Sequence, residues 1–203
     1  MKEIFSCIIL AGGKSSRMGT DKALLKLDNK PLLRIICERI QDLATEIYIV
    51  TPWLEKYQSI VPTNCQIIKE LFPHNGPMVA FSQGLREVNT EWVLLLACDL
   101  VCLETEAIAN WSSLLSQTPQ SAIALLPRHP SKGWEVLCGF YRCTSLPLME
   151  QYINQGGKSL QKWLLTQEVV ELPVTNPKIL FNCNHKQDWE ALLEERGRRG
   201  SQV

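Results

Sequence analysis

Apolar residues recur along this chain in two rhythms. Unbroken runs bounded by glycine, proline or an acid read as strands buried on both faces, and stripes at three- and four-residue spacing read as helices. Residues 4–11 form such a run and end in Gly12-Gly13, which predicts a buried strand feeding a loop. Pro31 is placed as the first residue of a helix whose face carries Leu32, Ile35, Ile36, Ile40 and Leu43. A second strand is expected over 46–51, ended by Pro52 and followed by a short helix, and a third over 65–68. A loop with Pro73, Asn75 and Gly76 then leads into a helix that starts at Pro77 and carries Met78, Phe81 and Leu85. The fourth strand, 92–97, stops at Cys98-Asp99.

After residue 104 the rhythm loosens. The pattern predicts a helix to 116, a strand over 122–126, a mobile proline-bearing loop over 127–133 and a strand over 135–142. Helices over 147–154 and 159–165, a strand over 169–174 and a last helix over about 187–196 complete the chain, with 197–203 frayed. Strands alternating with helices imply an α/β three-layer sandwich, Rossmann-like, with a mostly parallel central sheet. No linker or repeat divides it, so residues 1–203 read as a single domain.

Composition narrows the function. The chain has 203 residues and 21 basic against 21 acidic side chains, and this neutrality argues against a general nucleic-acid binder or a polybasic membrane clamp. No run is long enough to cross a bilayer, and nothing at the N-terminus resembles a signal peptide. Eight cysteines occur singly with no C-x-x-C pair, which favours reduced thiols in a cytoplasmic protein over zinc or disulfides. The charge is uneven, however. Residues 1–34 hold seven Lys/Arg and three Asp/Glu, a surplus of four positive charges.

That surplus surrounds one loop. Leu10-Ala11-Gly12-Gly13-Lys14-Ser15-Ser16-Arg17-Met18-Gly19-Thr20-Asp21-Lys22 follows directly on the first strand. Its glycines let backbone approach a ligand closely and aim N–H groups at anionic oxygens, and Lys14, Arg17 and Lys22 add cations. In an open α/β sheet such a loop faces the ligand crevice at the carboxyl ends of the strands, so a phosphate-rich ligand is expected. It is not a Walker A loop, because the glycine that Gly13-Lys14-Ser15 would need at position 8 is Ile8. Gly157-Lys158-Ser159 fails likewise at Tyr152, and G-x-G-x-x-G is absent. Asp99, at the end of the fourth strand, is where a carboxylate can hold Mg²⁺ against phosphate oxygens.

The pattern L-A-G-G-x-S-x-R-M-G-x-D-K resembles the signature of nucleotidyltransferases that move an NMP group from an NTP and release pyrophosphate. Gly76-Pro77, Cys98-Asp99, Gly157-x-Ser159-Leu160 and Phe181-Asn182-Cys183-Asn184 are similar to later signatures of the molybdenum cofactor guanylyltransferases, the MobA family. The resemblance implies the nucleotide-diphospho-sugar transferase type of fold, with a nucleotide-binding half over about 1–103 and an acceptor-binding half over about 104–196. It implies GMP transfer from GTP to molybdenum-molybdopterin with Mg²⁺ as cofactor. Molybdoenzyme apo-proteins or other cofactor-pathway proteins would be further partners, and nucleic acid and membrane would not. Leu10, Ala11, Gly12 and Gly13 would contact the nucleotide; Lys22 would bind phosphate and Arg17 would assist pyrophosphate departure; Asp99 would bind metal and nucleotide. Glu70 takes, with a one-residue shift, the place of an acidic nucleotide contact. Asn182 and Asn184 would meet the pterin or its phosphate, and Trp134 is the tryptophan suited to stacking on it.

The acceptor half departs from the family pattern. The proline of C-D-x-P is Val101, the H-P or Q-P before a later strand is Glu135-Val136, and the T-P after F-x-N-x-N is His185-Lys186. Cytidylyl transfer, transfer to a sugar phosphate, and a non-catalytic nucleotide- or pterin-binding partner therefore stand as alternatives. His74, His129 and His185 lack ligand spacing and read as surface residues.

Overall fold

The protein is described from a computed structural model, for residues 4–13, 21–129, 131, 133–183 and 186–200, with side chains to residue 194. In chain order the elements are β1 (Phe5–Leu10), a ribbon of β2 (Lys26–Leu27) and β3 (Lys30–Pro31), α1 (Leu32–Ile40), β4 (Ile47–Thr51) and α2 (Leu54–Tyr57). Then come β5 (Cys65–Lys69), α3 (Pro77–Leu85), β6 (Trp92–Ala97) and α4 (Thr105–Ser112). The second half holds β7 (Ala124–His129), β8 (Gly133–Trp134), β9 (Cys138–Arg142), α5 (Leu146–Asn154), α6 (Leu160–Leu164), β10 (Val169–Leu172) and α7 (Lys186–Gly200).

One sheet takes strands from both halves in the order β10-β7-β9-β6-β1-β4-β5, with β8 paired to β7. β1 lies between β4 and β6 and runs parallel to both, and β5 extends the parallel run. β9 is antiparallel to β6 and β7, so the sheet is mixed rather than uniformly parallel. Strand alternation splits the core in two. Phe5, Cys7 and Ile9 face Leu33, Ile36 and Ile40 of α1 and Ile108 and Trp111 of α4. Ile8 faces the other way, with Met78, Phe81 and Leu85 of α3, Met149 of α5 and Trp163 of α6. Each fully buried side chain of this size contributes about 1.5–3 kcal/mol over its exposed state, so both faces must be covered.

Several boundaries differ from the sequence reading. Pro31 lies in β3 and α1 begins at Leu32, because Asp28 (φ 52°) and Asn29 (φ 62°) form a two-residue left-handed turn that closes the ribbon first. The helix expected to reach 116 ends at Ser112, with a separate 3-10 turn over Leu115–Gln117. The expected loop over 127–133 is instead a hairpin, since β7 continues through Pro127 to His129 and turns back into β8. Pro127 lies past the last β7–β9 pair, Leu125 with Phe140, and its carbonyl accepts from the Glu135 N–H at 2.9 Å. β9 accordingly starts at Cys138, not 135, and β10 ends at Leu172 rather than 174. The last helix does not fray at 197 but runs to Gly200.

Candidate active site

The carboxyl ends of β1, β4 and β6 open on one side of the sheet, and the functional residues gather there. Leu10 ends β1 with its carbonyl accepting from Cys98 N–H at 3.3 Å, while Ala11 N–H donates to the Val50 carbonyl at 3.0 Å. The buried Thr51 hydroxyl donates to the Ala11 carbonyl at 2.9 Å and accepts from Trp53 N–H at 3.1 Å. The loop therefore leaves the sheet along a fixed path. A Cβ on Gly12 would stand 2.6 Å from Glu70 Oε2 and 3.2 Å from Pro52 Cδ, so any side chain there would have to displace the Glu70 carboxylate. Gly13 faces open space.

Glu70 itself is set just past β5 by its N–H, which donates to the Thr51 carbonyl at 2.8 Å. It is 7% exposed, no described group donates to its carboxylate, and burial raises its pKa above the ordinary value. An acceptor held dry without a partner is suited to a ligand that brings donors. Nearby His74 has φ 74°, a left-handed conformation that costs a non-glycine residue energy, and lines the same cavity.

The far end of the loop is locked by Asp21. Its carboxylate caps the turn Lys22–Leu24 by accepting from Ala23 N–H at 3.1 Å, accepts the buried Tyr57 hydroxyl at 2.9 Å and pairs with Lys56 at 2.5 Å. Burial and this carboxylate push the Tyr57 phenol up, so it stays a donor. So anchored, Lys22 reaches Asp99 across the crevice, with Nζ 2.9 Å from Oδ2 and side chains 15% and 14% exposed. Beside them burial and Asp99 push the Cys98 thiol up to about 12, which leaves it protonated and inert.

Two cavities open here. One of about 590 Å³ is lined by Leu10, Ala11, Gly12, Gly13, Lys22, Glu70 and Asp99, together with Asp21, Tyr57, His74, Gly76 and Pro77. The other, of about 280 Å³, is lined by Trp134, Glu135, Val136, Gln161 and Asn182. They share Ala97, Asp99 and Leu137. Asp99 thus stands where they join. Asn182 Oδ1, on the smaller cavity, is buried with no hydrogen-bond partner among the described residues.

The structure brings together Leu10, Ala11, Gly12, Gly13, Lys22, Glu70 and Asp99, and sets Asn182 on the adjoining cavity. Lys14, Arg17 and Asn184 lie outside the described residues. Tyr57, Lys56 and Gln161 escaped the sequence reading, and Asp21 and Glu135 entered it only as a motif position and as a departure from the family pattern. Asp21 sits in the loop motif itself, but only the fold discloses its partners on α2. Among the described residues no three His, Cys, Asp or Glu side chains gather into a metal cluster. A hard cation that keeps several waters and binds one or two carboxylates plus ligand phosphates needs no such cluster, and Asp99 fits that donor set.

Residues 7–170 match the MobA-like NTP transferase domain. The chain belongs to this family. A probable molybdenum cofactor guanylyltransferase of Nostoc sp. is 48% identical over 190 residues, covering 94% of this chain and 91% of the relative. One from Trichormus variabilis is 49% identical with the same coverage. The crystal structure of molybdopterin-guanine dinucleotide biosynthesis protein A from Archaeoglobus fulgidus superposes with a TM-score of 0.79 at 21% identity, over 95% of this chain and 99% of that one. That likeness bears on the fold alone, an α/β sheet with helices on both faces. No helix among the described residues is long and apolar enough to cross a membrane.

Proposed function

We propose that this NTP transferase moves GMP from GTP to the terminal phosphate of a molybdopterin, forming the guanine dinucleotide and releasing pyrophosphate. The observation that carries this reading is the junction at Asp99 of a large cavity edged by the glycine loop and a smaller one edged by Asn182. A transfer between two ligands needs two sites that meet at the reacting atoms. GTP occupies the larger cavity, its guanine N1–H and 2-amino group donating to Glu70, its phosphates along the Gly12-Gly13 backbone. Lys22 would turn from Asp99 to the phosphates, and Asp99 would hold Mg²⁺, which when bound would supply charge neutralisation at the phosphates. A phosphate oxygen of the acceptor attacks the α-phosphorus in line, and the bond to the pyrophosphate oxygen breaks. The nucleophile is already ionised at neutral pH, so no general base is required. The Asn182 amide, with its Oδ1 unpartnered, binds the acceptor from the smaller cavity.

The test is pyrophosphate release by the purified protein with molybdopterin and Mg²⁺, comparing GTP, CTP and UTP. Release with GTP alone is expected. Release with CTP or UTP instead, or none with verified acceptor, overturns the assignment.

A further inference from the structure

The smaller cavity has a wall made by the end of β8 and the stretch after it, and four contacts hold it still. Gln161 of α6 grips the Trp134 backbone from both sides: Trp134 N–H donates to Gln161 Oε1 at 3.3 Å, and the Gln161 amide donates to the Trp134 carbonyl. Glu135 N–H donates to the Pro127 carbonyl at 2.9 Å, and the Tyr141 hydroxyl donates to the Val136 carbonyl at 2.8 Å. Gly133, at φ 81°, makes the bend, and a Cβ on it would stand 3.2 Å from Gln161 Oε1. The Arg128 guanidinium lies 5.4 Å from the centroid of the Trp134 ring. A segment fixed this thoroughly presents its half-buried side chains in one arrangement.

Those side chains define a chemistry. Trp134 offers an aromatic surface, Glu135 a carboxylate to which no described group donates, and Asn182 an unpartnered carbonyl oxygen. The cavity is rich in acceptors and holds about 280 Å³, enough for one fused bicycle and too little for a second nucleotide. A ligand that satisfies it is flat and carries adjacent N–H donors. A pterin is such a ligand, because its N3–H and 2-amino group form a donor pair like that of guanine. We propose that Trp134 and Glu135 form the pterin subsite, the ring stacked on the indole and its donor edge against the carboxylate, with Gln161 as the positioning residue. The inference rests on the transfer reading above and adds that each of the two cavities selects its heterocycle with one carboxylate, Glu70 for the donor and Glu135 for the acceptor.

The test uses the full chain and two fluorescent probes, 6-hydroxymethylpterin monophosphate and the lumazine monophosphate in which a carbonyl replaces the 2-amino group. The wild type binds the pterin tighter by about 10- to 100-fold, the value of a charge-assisted hydrogen bond replaced by a carbonyl facing a carboxylate. Glu135→Gln reduces this preference to about threefold or less. Trp134→Leu weakens both probes alike by about tenfold and leaves the preference intact, while Trp134→Phe restores most of the binding. Gln161→Ala weakens both probes and leaves GTP affinity unchanged, which also certifies the fold. Equal binding of the two probes by the wild type, binding of neither, or a Glu135→Gln protein that keeps the full preference overturns the subsite. Pyrophosphate release is measured on the same wild-type protein. Release without pteridine discrimination sinks the subsite alone; discrimination without release sinks the transfer reaction and leaves the subsite standing.

Discussion

Glu70→Gln separates stability from recognition at a single residue. In the unliganded protein the Glu70 carboxylate is 7% exposed, receives no hydrogen bond from a described group, and has its pKa raised by burial. A raised folded-state pKa means that the fold favours the neutral acid. The associated stability is complete below the ordinary carboxylate value of 4.5 and is lost as pH rises through the folded pKa. Once pH has risen through the folded pKa, the wild type holds a desolvated charge. Gln removes the charge and keeps the shape, so Glu70→Gln should be the more stable protein by about 1 kcal/mol, a rise of about 2–4 °C in Tm for a chain of this length. The gain should vanish at about pH 4, where the wild-type acid is protonated. GTP affinity should move the other way. An amide presents one acceptor and one donor to two guanine donors, a loss of about 1.5–3 kcal/mol, or about 10- to 150-fold in Kd. Thermal melts across pH and calorimetric titration with GTP measure both effects. Wild-type GTP affinity in the variant would show that Glu70 does not touch guanine, and a lower Tm at neutral pH would show that the carboxylate is structural.

Other perturbations probe the rest of the site. Tyr57→Phe removes the hydroxyl on Asp21 and should cost about 1–2 kcal/mol in urea unfolding, with a severalfold rise in the KM for GTP because the Lys22 turn loosens. His74→Gly relieves the left-handed backbone and should raise stability by about 1 kcal/mol; a fall in Tm would mean that the imidazole makes contacts worth more than the strain. Asp99→Asn should lower pyrophosphate release by about 100-fold or more and abolish the Mg²⁺ dependence of GTP affinity, while the Asn carbonyl, still accepting from Lys22, limits the stability loss to about 1.5 kcal/mol. GTP affinity that responds to EDTA equally in the wild type and this variant would remove Asp99 from the cation site.

The parallel half of the fold was legible because strands buried on both faces must be apolar throughout, and residues 4–11 and 92–97 announce themselves that way. The hairpin at 127–134 was not, since Pro127 and Gly133 are loop residues by composition and their pairing depends on β10 and on Gln161, 27 residues beyond Trp134. The site divides along the same line. Glycines beside a basic loop carry their meaning locally, so Gly12, Lys22 and Glu70 could be named from spacing and resemblance. Tyr57 and Gln161 act through the backbone or carboxylate of a residue remote in sequence, and nothing in a four-residue helix or in the run after Ser159 marks them.

Folding also changes the meaning of the positive surplus in residues 1–34. Taken as a field, four excess charges would attract any polyanion. In the structure Lys22 is engaged with Asp99 at 2.9 Å, and Lys30 and Arg34 both pair with Glu38 on the exposed face of α1. In the proposed reaction a triphosphate would have to compete with Asp99 for Lys22. Breaking a pair that is about 85% buried is unfavourable unless each partner gains a replacement. In the proposed reaction a divalent cation on Asp99 and phosphate on Lys22 would supply both replacements together. On that reading the nucleotide and the cation would be coupled ligands, and by linkage each would raise the affinity of the other by the same factor. The Lys22–Asp99 pair would then favour a nucleotide that arrives with a cation over a simple anion.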